Sequence, residues 1–335
     1  MKKLLFLLTV ALFATTYVMA EDISAEQALQ IAKEFAASPS TQKIARRSAP
    51  MNVSPMLAYT IKSKATGKDN VYAVNLGDDQ GFVIVSGESS ADAYVLGYCD
   101  HGSFSFDDAP IQLKDLLGYY SEAIDSLRQN PALTVRRRAV EGLASWMGSL
   151  IVGPLLTTTW NQCAPYNNYC PEGCPTGCVI TAVSQVMNYW KWPKAAMGEM
   201  FENDSSSHVY DWDNMRDDYF SGYNTAEADA VARLMADVGK AFGAEYSPEK
   251  TPASFTDYPL SKYFSYEPGS EMPSATKAKD LQSTIQSELD ALRPVLYAGY
   301  PNTPADGHAL VIDGYTSGNY FHYNYGWGGA YDGFY

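Results

Sequence analysis

The stretch from Trp160 to Trp190 places the tightest constraint on this chain. It reads WNQCAPYNNYCPEGCPTGCVITAVSQVMNYW, a loop rich in Cys, Pro, Gly and Asn that runs into an apolar pattern. From Cys178 onward no charge appears until Lys191, and Val179, Ile180, Ala182, Val183, Val186 and Met187 recur at the spacing of a buried helix. Gly177 precedes that helix and Cys178 opens it. A thiol on a first helical turn faces unpaired N–H groups and the positive end of the helix dipole, both of which favour the thiolate. The stretch therefore asks for a fold that buries the helix and presents Cys178 as a nucleophile.

The rest of the chain must supply what a nucleophile needs. At 335 residues, 46% of them hydrophobic, the length suits two packed domains. Residues 1–20 carry Lys2 and Lys3, then a short apolar run, then Val18-Met19-Ala20 before Glu21. That is the pattern of a secretory signal cleaved after Ala20, and the run is short for a membrane-spanning anchor. The net charge of −14 lies almost wholly in residues 139–335, where 10 Lys/Arg face 23 Asp/Glu. So acidic a surface argues against nucleic-acid partners and against a stable membrane association, and it suits solubility outside the cell.

In chain order, Ser24 with Gln27 three residues on makes a capping-box start for a helix through Ala28, Ile31, Ala32 and Phe35. Strand patterns follow from Leu57, Val71, Phe82 and Val95, joined by turn-like Thr66-Gly67-Lys68 and Gly77-Asp78-Asp79-Gln80-Gly81. A second amphipathic helix starts at Pro110. Helix, meander and helix form a compact α+β module, in which Cys99 and His101 read as loop or core packing. Arg136-Arg137-Arg138 then reads as an exposed basic connection, open to proteolysis, with the domain boundary between Asn130 and Gly142. Beyond it, helix patterns at 225–243 and 281–292 precede the strands PVLYAGY, HALVIDGY and NYFHYNYGW. Helices first and antiparallel strands last suit a two-lobed, papain-like thiol enzyme.

Of the four histidines, at 101, 208, 308 and 322, His308 is the best base. Gly307 before it lets a substrate backbone approach, and the strand ALVID behind it would hold the ring. His322 suits a packed or surface strand position, and His208 a loop. Asn324 could orient the base by accepting its Nδ1 hydrogen, with Trp327 roofing that bond. Gln162, 16 residues before Cys178, could donate to an oxyanion beside the Cys178 N–H. The five cysteines, at 99, 163, 170, 174 and 178, leave at least one thiol free in an oxidising compartment. A disulfide among Cys163, Cys170 and Cys174 is open to the chain, as is a rival four-cysteine zinc site, although the spacings are not the paired C-x2-C of common zinc modules.

The segments CPTGCVITAVSQVMNYWKWP, VYDWDNM, RLMADVGKAFG, GHALVIDGY and YFHYNYGWGGAYDGF resemble the streptopain-like cysteine peptidases. The likeness spans about residues 150–335, with a weaker likeness to the family's propeptide over 55–130. It implies an α+β, papain-like peptidase domain preceded by an α+β prodomain. By that resemblance Cys178 is the nucleophile, His308 the base and Gln162 the oxyanion-hole glutamine, with Asn324 and Trp327 in the block that supports the histidine. The C-G-[SA]-C-[WY] block of papain itself is absent. Residues 246–256 do not match the family's Gly/Ser-rich cleft loop, and the chain reads as ending at Tyr335 within a strand that relatives continue.

The expectation is thus a secreted zymogen with a signal at 1–20, an inhibitory prodomain at 21–138 and a peptidase at 139–335. Its partners would be protein or peptide substrates and its own prodomain, with no metal or organic cofactor. Cell-wall amidase or transpeptidase chemistry on the same fold, and a non-catalytic zinc-stabilised binding module, are the alternatives.

Overall fold

The computed structural model describes residues 22–45, 53–89, 94–129, 147–201, 208–269, 278–299 and 307–335. The signal-like run, the arginine cluster and the expected boundary lie outside them. The N-terminal helix α1 (Ala25–Ala37) begins with the capping box expected at Ser24 and Gln27. A short α2 (Pro39–Ile44) follows, and then a meander of β1 (Met56–Lys62), β2 (Asp69–Asn75), β3 (Phe82–Ser86) and β4 (Val95–Cys99). Helix α3 (Ile111–Gln129) closes this part. The rest comprises β5 (Leu150–Val152), α4 (Cys178–Trp190), α5 (Thr225–Ala241), α6 (Tyr258–Tyr263) and α7 (Ala278–Asp290), then β6 (Val295–Gly299), β7 (His308–Thr316), β8 (Phe321–Asn324) and β9 (Gly333–Phe334).

Sequence patterns suggest two modules side by side, and the strands go further than that. Among the described residues one antiparallel sheet of nine strands runs β1-β2-β3-β4-β9-β8-β7-β5, with β6 also paired to β7. The seam is narrow: Tyr98 of β4 pairs with Phe334 of β9. The physical reason is that β4 would otherwise end the meander as an open edge, with a row of unpaired backbone groups.

Both faces of this sheet are covered, so strand residues alternate between two cores rather than between core and water. In β7, Ala309 and Val311 join the core built on α4 and α5, whereas Leu310 and Ile312 join the core under α3 and α7. In β3, Phe82 and Ile84 belong to that same second core, together with Tyr325, Tyr331 and Tyr335, while Val83 and Val85 pack under α1 with Tyr98 and Phe334. The meander and the C-terminal strands therefore share two cores across the seam. Side chains bridge it as well: Tyr320 Oη donates to the Val95 carbonyl at 2.7 Å, and Tyr331 Oη donates to that of Ser105 at 3.0 Å.

His101, read from the sequence as packing only, also spans the seam. Its Nδ1 lies 2.6 Å from Asp100 Oδ1, and its Nε2 is hydrogen-bonded to the Gly329 carbonyl. The Asp100 carboxylate outweighs the opposing effect of partial burial and raises the imidazole to about 9. Asp332, pushed up to about 7 by burial, lies near enough to favour the same cation. A raised folded-state pKa means that the native chain holds a proton which the unfolded chain releases near 6.5. This stabilisation is complete below that pH and is lost as pH rises through about 9. Urea midpoints of the full chain from pH 6 to 10 should accordingly fall more steeply for the wild type than for His101→Gln. Parallel curves would show that His101 carries no such linkage.

Candidate active site

Helix α4 owes its burial to its sequence: nine of its residues, from Val179 to Asn188, are buried, in contact with α5 and β7. Its N-cap, Gly177, takes φ +90°, and a Cβ there would stand 2.4 Å from the Thr251 carbonyl oxygen. Only glycine fits such a conformation at so close an approach. Cys178, partly exposed, sits where the sequence puts it, on the first turn. The backbone amides of Ala309, Val179 and Cys178 itself favour its thiolate. The Ala309 contact brings the helix start against β7, the strand that His308 opens. Two residues 130 apart in sequence thus share one site.

The ionisation expected of a bare helix start differs from the one found. Burial pushes the Cys178 thiol above its usual range, and the three amides offset only part of that. His308, also buried, is held below the usual imidazole range, the Tyr325 carbonyl opposing this in part. Both shifts favour the neutral thiol and neutral imidazole over a thiolate–imidazolium pair. Among the described residues no hydrogen bond joins the two side chains.

The ring is oriented by a different group from the one expected. His308 Nε2 lies 2.8 Å from the carbonyl oxygen of Tyr325. A carbonyl only accepts, so Nε2 carries the hydrogen and a neutral ring keeps its lone pair at Nδ1. Asn324 does not take the Nδ1 hydrogen. Its Oδ1 accepts from Gln185 Nε2 at 2.9 Å and from the Gly326 N–H at 3.1 Å, and its Nδ2 donates to the Thr158 carbonyl at 2.9 Å. Buried in that network, Asn324 shapes the turn that aims the Tyr325 carbonyl, while Asp332 Oδ1 accepts from the Tyr325 N–H at 2.7 Å. Trp327 packs against the ring, edge to face, with centroids 5.3 Å apart, but among the described residues there is no Asn324–imidazole bond for it to roof.

Gln162, partly buried, is tied to the nucleophile's approach by its main chain, its carbonyl accepting from the Thr176 N–H at 2.9 Å. Gly307 immediately precedes β7. His322 is packed, as one sequence reading had it: burial would lower it, but Asp313, 2.6 Å away, holds it above its usual range. His208 pairs with Asp237 at 2.7 Å. Cys170 and Cys174 are buried and Cys163 is exposed, all three as free thiols. Among the described residues no three His, Cys, Asp or Glu side chains are grouped to hold a metal, so the four cysteines do not form the rival site.

Gln185 was not singled out from the sequence, yet it is central. Two turns beyond Cys178 and fully buried, it accepts from Thr158 Oγ1 at 2.9 Å and from the Trp160 N–H at 3.2 Å, while donating to Asn324. The available signal was one of two amides in a largely apolar helix pattern. Replacing it with Leu strands the hydroxyl of Thr158 and the N–H of Trp160 in a dry interior, at about 1–3 kcal/mol for each unsatisfied group. Urea unfolding of Gln185→Leu should show a loss of that order. A midpoint within error of the wild type would contradict the network's role.

Comparison with known proteins gives the family of the chain. The model of the Peptidase C10 family matches residues 160–335, and that of the Spi protease inhibitor matches residues 20–124. The chain is 28% identical to streptopain of Streptococcus pyogenes over 79% of its own length and 73% of that protein. It is 27% identical to the thiol protease/hemagglutinin PrtT of Porphyromonas gingivalis over 99% of its length, but it spans only 41% of that longer protein. Among solved structures, a mutant fragment of Prevotella intermedia prointerpain A superposes with a TM-score of 0.63 at 29% identity, covering 84% of this chain and 91% of that one. Active interpain A cysteine protease gives 0.50 at 34% identity, over 55% of this chain and 85% of that one. With the peptidase match extending over more than half of its length, the chain belongs to the Peptidase C10 family, as a cysteine peptidase preceded in the same chain by an inhibitor segment.

Proposed function

We propose that the protein is a secreted cysteine endopeptidase made as a zymogen, with a signal at residues 1–20, an inhibitory prodomain at 21–138 and the peptidase at 139–335. The observation that carries the catalytic assignment is the packing of α4 against β7, in which Cys178 lies against the core that contains Ala309, the residue after His308. In this reading, His308 Nδ1 takes the thiol proton and the sulfur attacks the scissile carbonyl carbon. The Gln162 side-chain amide and the Cys178 N–H donate to the oxyanion. The imidazolium then protonates the leaving amine, and water, deprotonated by the same ring, releases the acyl group and restores the thiol. Tyr325 holds the ring through its carbonyl, Asn324 shapes the turn behind it and Trp327 shields it. Gly307 leaves room for the substrate backbone. Substrates are proteins or peptides, with an apolar residue next to the one cleaved.

Latency in this reading rests on the N-terminal segment being part of the peptidase's sheet and touching the Gly329 turn. Burial favours the thiol at Cys178 and the uncharged ring at His308, and a thiol is a poor nucleophile. Release of the segment by cleavage around Arg136 to Arg138 would open β9 and the Gly329 loop. Among the described residues no helix is long and apolar enough to cross a membrane, which is compatible with export.

Two variants test the proposal through casein hydrolysis and the mass of the purified chain. Cys178→Ala should cleave no casein and should remain at full length when incubated alone. The unprocessed wild type should hydrolyse casein at least about tenfold more slowly than the processed form, a difference that a thiol held protonated readily supplies. Casein cleavage by the variant would place the nucleophile elsewhere. Equal activity before and after processing would remove the zymogen.

A further inference from the structure

One large aromatic side chain near the site has no structural reason to be where it is. Phe220 is 70% exposed, although its neighbour Tyr219 is buried and packs edge to face on Tyr166 at 5.1 Å. The ring does not stand on a free-swinging loop. The Asp217 carbonyl accepts from the Thr159 N–H at 2.9 Å, the Arg216 carbonyl accepts from Trp160 Nε1 at 2.8 Å, and Thr157 Oγ1 donates to Asp217 Oδ1 at 2.7 Å. Asp218 Oδ1 accepts from the Phe220 N–H at 3.1 Å and so fixes the turn itself. These bonds tie the loop to the same 157–160 segment that leads into Gln162. A hydrophobic ring held rigidly in water forgoes burial that a polar residue at this position would not need.

What the ring lies against indicates its use. A Cβ built on Gly328 would fall 2.5 Å from Phe220 Cζ and 3.1 Å from Asn161 Nδ2. Gly328 takes φ +68°, and its N–H donates to the Trp160 carbonyl at 2.9 Å. Glycine at 328 therefore makes the floor on which the ring rests. Asn161 precedes Gln162, and Gly328 follows Trp327, which stands on His308. Phe220 is thus reached from the histidine by passing over Trp327, and it borders the loop of the oxyanion donor.

We propose that Phe220 forms a specificity subsite for an apolar side chain one or two residues after the scissile bond. This rests on the assignment of His308 and Cys178 given above. The ring that protonates the leaving amine fixes where that half of the substrate begins, and the chain leaving His308 on the Trp327 side meets Phe220 next. Contact with an aliphatic or aromatic substrate side chain removes apolar surface of both partners from water, whereas glycine at the same position gains nothing. A pocket difference of this kind is worth about tenfold or more in kcat/KM.

The test uses the processed enzyme obtained from the full chain, with active enzyme counted by an epoxide inhibitor that alkylates Cys178. Internally quenched peptides identical up to the scissile bond carry Leu or Gly at the first or the second position after it, and mass spectra confirm that the same bond is cut. The readout is the ratio of kcat/KM for Leu over Gly at each position, which divides out any loss of folded enzyme. The wild type should prefer Leu at one position by about tenfold or more. Phe220→Ala should bring that ratio close to one, and Phe220→Leu should restore most of it. No preference in the wild type, or the same ratio in Phe220→Ala, overturns the subsite. If the epoxide labels no residue 178, or if Cys178→Ala still cuts the peptides, the catalytic assignment fails first and takes the subsite with it.

Discussion

The buried amide pair of Gln185 and Asn324 is the cross-link on which the site depends. It joins three pieces of chain that share no local contact: the nucleophile's helix, the end of β8 and the segment at 158–160 that leads to Gln162. Each amide is enclosed by protein and each finds partners for both its oxygen and its nitrogen, so the arrangement is satisfied only in one relative placement of the three. Hydrophobic packing of α4 on β7 brings Cys178 near His308, but such packing tolerates sliding. The amide pair sets the register, and Gly326 and Tyr325, the residues that follow Asn324, inherit it.

A second constraint is the single sheet. The meander of the inhibitor segment extends the peptidase's own sheet and shares two of its cores. The narrow seam at Tyr98 and Phe334 is reinforced by side chains and by His101 on Gly329, two residues beyond Trp327. Through His101 the inhibitor segment touches the glycine-rich turn that follows Trp327. Those contacts pair the edge of β9 and hold the Gly329 carbonyl in the intact chain.

Much of this was legible in the sequence because the signals were periodic or chemically rare. The helix at Cys178, the capping box at Ser24, the meander and the strand after His308 all follow from spacing. Cys178, His308 and Trp327 stand out because a thiol at a helix start needs a base, and the base needs support, and the fold places Cys178 at the start of α4 and Trp327 against His308. The rest depended on contacts that no spacing encodes. The carbonyl of Tyr325 orients the ring in place of the Asn324 side chain, and a backbone acceptor carries no residue signature. Gln185 was hidden in an apolar run. The raised thiol at Cys178 reflects burial by elements distant in sequence, which outweighs the local helix-end effect that the sequence does reveal. The continuity of the two sheets hung on one strand pair near the end of the chain.

The central claim is that in the intact chain the Cys178–His308 pair is neutral, with the ring proton on Nε2 toward Tyr325. The most direct measurement is the ring-nitrogen chemical shifts of His308 at neutral pH in isotopically labelled protein, before and after processing, assigned with a His308→Gln control. The account predicts a neutral ring protonated at Nε2 in the intact chain and an imidazolium once the N-terminal segment is gone. An imidazolium already present in the intact chain, or a neutral ring protonated at Nδ1, would contradict it.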